Sequence, residues 1–234
     1  MAITTPLSYW KLDESSGDAV DAVASLNAVN TSVTYSAGKI NNGAVYNGSA
    51  YHTIADNAAI KPSSDISISA WVNITSTSSY QMLLAKGENT GDTRSYELRC
   101  FGTTTRLEVQ MRTGGGSYDA SQTTTAIGTG VWTHIVYTRT GTTHKIYINA
   151  VSDTLSSSVT TSGSIDYNAD NLWFGQRNGA FRFNGKLDEV GIWNVALTQA
   201  EVTELYNGGA GNQYPFSGGG SVFSPRMSLL GVGR

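Results

Sequence analysis

Between residues 66 and 72 the chain alternates: Ile66, Ile68, Ala70 and Val72 are apolar, with Ser67, Ser69 and Trp71 between them. A period of two predicts a strand with one face against a core. Tyr96–Cys100 and Arg106–Met111 are two further alternating runs, joined across Gly102 and a stretch of threonines, and they predict a hairpin. A second hairpin is predicted from Thr133–Thr140 and His144–Asn149, turning at Gly141 and placing Ile146 and Ile148 on one face. Turn residues recur about every ten positions, the spacing of a β-sandwich and not of a βαβ fold. Thr198–Tyr206 alone reads as a helix. Thr198 and Glu201 form a capping box, Leu197 can staple onto Val202, and Asn207-Gly208-Gly209 ends the run. The pattern predicts an all-β chain of two antiparallel sheets with one short C-terminal helix.

Composition narrows the function classes. The 234 residues carry a net charge of −3, with 39% hydrophobic and only 14% charged residues. Without a basic stripe, nucleic acid is not an expected partner. No run of 18 apolar residues predicts a membrane span. Cys100, alone, excludes an intrachain disulfide. Residues 1–216 read as one domain. Ser217–Ser221 is a Gly/Ser linker by composition, and the tail beyond it carries Met227, Leu229, Leu230 and Val232 with two arginines and no acid. Such a tail is expected to dock on its own domain or to anchor in a protein partner. The Met1–Pro6 segment has neither the cationic nor the apolar region of a signal peptide.

Several segments together resemble the laminin-G-like, concanavalin A-like jelly-roll domains. They are Tyr9-Trp10-Lys11-Leu12-Asp13-Glu14, Gly43–Tyr51, Ile66–Val72, the Trp132–Val136 and Lys145–Asn149 pair, and above all Phe183–Val190 with Trp193-Asn194, Ala196-Leu197-Thr198 and Glu201. The resemblance covers about residues 7–210. It implies a jelly-roll sandwich in which Trp10, Trp71, Trp132 and Trp193 pack, and a domain that binds glycans or mediates adhesion. It also implies Ca²⁺ at Asp188, with Asp13 and Glu14 of the first strand and Asp21 of the next loop as neighbours, if the first and last strands pair. Equally, Asp188 could bond loop backbone instead.

Catalysis is not expected. The Glu-x-Asp-x-x-Glu pattern of glucanase relatives is missing, and Asp13-Glu14 and Asp188-Glu189 are adjacent pairs whose side chains would diverge on a strand. His52, His134 and His144 have no nucleophile motif beside them. For glycans, Trp173 between Leu172 and Phe174 is predicted to face outward, with Gln176, Arg177, Asn178 and Phe181 of the following loop supplying donors and a ring. Tyr80 and Tyr118 suggest a second surface. The expected function is a non-catalytic, surface-displayed domain of a bacteriophage virion, of decoration or fibre type. Such a protein reaches the outside by lysis. The alternative is a carbohydrate-binding module of a secreted bacterial protein, with a glycoside hydrolase last. Expected partners are host or environmental glycans, a structural protein at the tail, and a second copy of the chain.

Overall fold

The strand predicted from alternation is β6 (Ile66–Ile74), near the middle of the first sheet. The computed structural model describes residues 2–77, 79–88, 94–114, 117–158 and 163–216, so the expected anchor residues Met227, Leu229, Leu230 and Val232 lie outside the described residues. The first sheet runs in the order β13 (Val151–Ser152), β12 (Thr143–Ile148), β11 (Thr133–Thr140), β6, β16 (Asn184–Trp193), β4 (Asn42–Asn47) and β3 (Thr34–Ala37), with β1 (Ser8–Trp10) also paired to β16. The second runs β14 (Leu155–Ser158), β10 (Ser117–Ala126), β9 (Arg106–Thr113), β8 (Tyr96–Phe101), β7 (Gln81–Lys86), β15 (Leu172–Phe174), β5 (Tyr51–Ile54) and β2 (Val29–Thr31). All named pairs are antiparallel, and both predicted hairpins are present as β8–β9 and β11–β12. The result is a two-sheet jelly-roll sandwich.

Between the sheets lies the main core, built on Trp10, Leu12, Tyr46, Ile68, Val72, Leu84, Leu98, Val109, Phe174 and Ile192. β6 departs from the one-sided expectation, because it is buried on both faces. Its outer face is roofed by helix α1 (Gln199–Tyr206) and by a second cluster of Ile3, Tyr9, Val136, Tyr147, Trp193, Leu197, Val202 and Leu205. Hydrogen bonds satisfy the serines this roof buries. Ser67 Oγ donates to the Val195 carbonyl and accepts from the Leu197 N–H, and Ser69 Oγ meets His134 Nε2 at 3.0 Å. The helix begins with both halves of the capping box in place and ends at Asn207 in the left-handed conformation.

Gly191 is needed for steric room. A Cβ there would lie 2.5 Å from the Trp193 ring and 2.8 Å from Tyr9, both members of the second core. Gly191→Ala is therefore expected to cost about 1–3 kcal/mol, as overpacked cores do. A urea unfolding curve with an unchanged midpoint would contradict this packing.

Candidate functional site

The outer face of the second sheet is unlike an ordinary wet surface. Register places Thr53, Trp173, Ala85, Glu97, Gln110 and Ala120 in one row across β5, β15, β7, β8, β9 and β10. The neighbouring row, His52, Phe174, Leu84, Leu98 and Val109, points into the core. Alternation thus turns Trp173 outward as predicted: Leu172 and Phe174 are fully buried, while Trp173 is half-buried against Tyr51 at 5.6 Å between ring centres.

Charges cross this face in a chain. Arg177 Nη1 meets Glu97 Oε2 at 2.6 Å, Glu97 Oε1 meets Arg99 at 3.2 Å, and Arg99 grips Glu108 Oε1 through Nε (3.0 Å) and Nη2 (2.5 Å). Arg94 reaches Gln110 and lies 3.6 Å from Glu97. Four guanidiniums lie over rings, at centroid distances of 5.0 Å (Arg99 on Tyr80), 4.6 Å (Arg177 on Phe181), 4.4 Å (Arg94 on Tyr118) and 5.6 Å (Arg182 on Tyr51). Phe181 also meets Tyr80 edge-on at 6.1 Å. The Trp173 loop and the two tyrosines, separate surfaces in the sequence, are one face. Partly exposed rings, held in place by the guanidiniums against them, can stack on sugar faces, and the exposed Asn178 amide can hydrogen-bond sugar hydroxyls.

Two expected donors are corrected. Gln176 and Arg177 are buried: Gln176 Oε1 accepts the Gly179 N–H, and Arg177 is engaged by Glu97. Both hold the loop: Arg177 donates to Glu97, and Gln176, 2% exposed, anchors the turn through its amide oxygen. Asn178 is exposed at the tip of the turn, and Phe181, with φ of 53°, is half-buried beneath Arg177.

A second constellation joins the two ends of the domain. β1 pairs with β16 through Tyr9↔Gly191 and Trp10↔Val190, as the calcium expectation required. Ligand atoms of Asp13, Asp188 and Glu189 all lie within 4.8 Å of one another. The adjacent pair Asp188-Glu189 does not diverge, against expectation, because the β6–β16 register slips between Asp188 and Gly191 and Glu189 takes a φ of 52°. Asp188 Oδ2 accepts the N–H groups of Lys39 (2.7 Å) and Ile40 (2.9 Å), while its Oδ1 is buried with no hydrogen-bond partner among the described residues. Glu189 accepts from Tyr9 Oη and Gln213 Nε2, both at 2.6 Å, and Gln213 reaches Asp13 as well. Burial above all pushes Asp188 up to about 8 and Glu189 up to about 7, with Glu189 adding to the rise at Asp188 and Asp13 to that at Glu189.

Glu14 and Asp21 are corrected as neighbours of this cluster. β1 ends at Trp10 and Leu12 turns the chain through a φ of 63°, so Glu14 spends Oε1 on the Val20 N–H. Asp21 accepts four backbone N–H groups, from Tyr9, Val23, Ala24 and Leu26. Glu189 and Gln213 take the places assigned to them, and no spacing rule in the sequence pointed to either.

The histidines are interior groups. Burial pulls His52 down to about 4 and His134 to about 3 and also lowers His144. The fold does bring Ser121, His144 and Asp119 together, with Ser121 Oγ 3.2 Å from Nδ1 and Asp119 Oδ2 3.6 Å from Nε2. Ser121 has no solvent exposure and faces the core, so no substrate carbonyl can reach it.

A two-sheet antiparallel jelly roll with an aromatic, charge-laced outer face defines a lectin-like sandwich. The chain belongs to the concanavalin A-like lectin/glucanases superfamily, whose family model matches residues 46–203. No curated protein matches it. Among solved structures it is similar to domain 4 of an extracellular arabinanase from Geobacillus stearothermophilus, solved in complex with arabinotriose, at 21% identity and a TM-score of 0.69 over 86% of this chain and 98% of that one. It is also similar to the binding domain of a paraclostridial mosquitocidal protein (20% identity, TM-score 0.70, 86% of this chain and 52% of that one). The third is the binding domain of botulinum neurotoxin serotype G (15% identity, TM-score 0.66, 86% and 50%). The chain thus spans nearly all of the arabinanase domain and about half of each toxin domain. Among the described residues no helix is long and apolar enough to cross a membrane.

Proposed function

We propose that the domain is a non-catalytic glycan-binding module whose ligand lies on the outer face of the second sheet, over Trp173, Tyr51, Phe181 and Tyr80. The observation that carries this reading is the convergence on one face of partly exposed rings, several of them backed by a guanidinium. Two points support a binding role without hydrolysis. Asp188 and Glu189 are close enough for a retaining pair, which needs about 5 Å, but at 0% and 2% exposure they are sealed from substrate. On the outer face, Glu97 and Glu108 are consumed by arginines.

Ca²⁺ at Asp13, Asp188 and Glu189 is part of the same proposal. The donors are hard carboxylate oxygens, and the buried Asp188 Oδ1, with no hydrogen-bond partner among the described residues, fits a cation. When bound, the ion would neutralise three crowded carboxylates and tie β1 to β16. Display on a virion or another extracellular surface also belongs to the proposal and is supported by the composition of 217–234 alone, as is a protein partner for that tail.

The test is Trp173→Ala on a glycan array and on immobilised arabinan. Retention is expected to drop about tenfold, since losing the ring forfeits about 0.5–1.5 kcal/mol of stacking together with the contact area it buries. Because the Trp173 ring is mostly buried against Tyr51, Tm is expected to fall as well, so retention is compared at a temperature well below the unfolding of both proteins. Unchanged retention would remove the face as the binding site.

A further inference from the structure

A separate cleft of about 410 Å³ opens at the edge of the sandwich, between β2, β3 and the 15–18 loop. That is within the range of small-ligand sites. Its floor is the half-buried ring of Tyr35, and its walls carry the exposed side chains of Ser15, Ser16, Asp18 and Thr34.

The floor is fixed from behind. Tyr35 Oη donates to the Gly17 carbonyl at 3.0 Å and so accepts from His52 Nε2 at 3.1 Å, which leaves His52 Nδ1 to accept from Tyr46 Oη at 2.8 Å. His52 has no solvent exposure, and burial keeps it neutral. Each member of this relay has one orientation that satisfies its partners, so the Tyr35 ring is pre-organised. Asn30 is likewise spent on the Gly17 and Val33 carbonyls and the Val33 N–H. The walls differ: Asp18 Oδ1 takes the Asn30 N–H, while Ser15, Ser16 and Thr34 line the cleft as exposed residues.

We propose that this cleft is a second glycan subsite that takes a single uncharged sugar unit, its ring against Tyr35 and its hydroxyls on Ser15, Ser16, Thr34 and Asp18. The proposal rests on the glycan-binding reading of the domain. Among the described residues no lysine, arginine or histidine lines the cleft, and the carboxylates of Asp18 and nearby Glu14 repel anions, so uronic and sialic acids are disfavoured. β2 pairs with β5, whose Tyr51 packs on Trp173. The cleft therefore adjoins one end of the aromatic face, and one oligosaccharide engaging both would bind with avidity.

The experiment is an amide-resolved NMR titration of the full chain with arabinotriose, a neutral hexose trisaccharide and a glucuronic acid-containing trisaccharide. Wild type, Trp173→Ala and Ser16→Glu are compared; position 16 is exposed, so the last is expected to fold. Amides of 15–18 and 30–35 are expected to shift saturably with a neutral sugar, to keep doing so in Trp173→Ala, and to lose affinity at least tenfold in Ser16→Glu. Shifts confined to the Trp173 face, or cleft shifts equal for the acidic sugar, overturn the subsite and leave the face standing. No shift anywhere overturns the glycan reading along with it.

Discussion

At pH 8, stripping divalent cations from the protein is expected to lower its Tm by about 5–10 °C, and at pH 5 by far less. The cause is the Asp13, Asp188 and Glu189 cluster. Without a cation, burial holds Asp188 at about 8 and Glu189 at about 7, well above their ordinary values of 3.8 and 4.5. The stability these groups contribute is full below those ordinary values and is lost as pH rises through 7 and 8, because the unfolded chain releases the protons more readily. A bound cation reverses this by favouring the charged forms. At a free concentration about 100-fold above Kd it would add about 2.7 kcal/mol. For a domain of this size each kcal/mol moves Tm by about 2–4 °C. His52 and His134 act in the opposite sense, since their depressed values of about 4 and 3 make stability fall as pH drops below 6.5. Scanning calorimetry with and without chelator at each pH cancels their contribution. Asp188→Asn should abolish the chelator effect, and a Tm indifferent to chelation at pH 8 would refute the site.

That cluster also shows where the sequence is legible and where it is not. Strands, hairpins and the capped helix follow from local periodicity and cap chemistry, so Ile66–Val72, the two hairpins and Thr198–Tyr206 could be read directly. Trp173 followed from the same rule of alternation. Glu189 did not, because alternation fails at a bulge and the slip beside Asp188 has no local signature. Gln213 joins the cluster only because the chain returns past β1 after the helix, a tertiary fact. Arg177 looked like a free donor for a related reason. Its partner Glu97 lies 80 residues earlier, and only the β7–β8–β15 register brings them together. Residue types were informative about which groups can bind, and the fold decided which of them are already taken.

Glu97→Ala follows from that distinction and is expected to cost about 3–5 kcal/mol, the range for removing one partner of a buried ion pair. The Glu97 side chain has no exposure, and Arg177 and Arg99, at 7% and 10%, are too enclosed for water to replace it. Exposed pairs would cost only about 0–1 kcal/mol. Deleting the carboxylate takes the charge partner from Arg177 and leaves Arg99 with Glu108 alone, so the Phe181 and Tyr80 rings packed on these guanidiniums should loosen too. Arg177→Ala is the informative companion. It should cost more stability and less glycan retention than Trp173→Ala, because it takes a partner from the buried Glu97 carboxylate while the Trp173 ring stays in place. In the Glu97→Ala/Arg177→Ala double variant, the two costs should fall short of adding by more than about 1 kcal/mol, because the residues are in contact. Urea unfolding of the four proteins measures this directly. A Glu97→Ala cost below about 1 kcal/mol would mean that water reaches the pair, and the arginines would then be available to ligand after all.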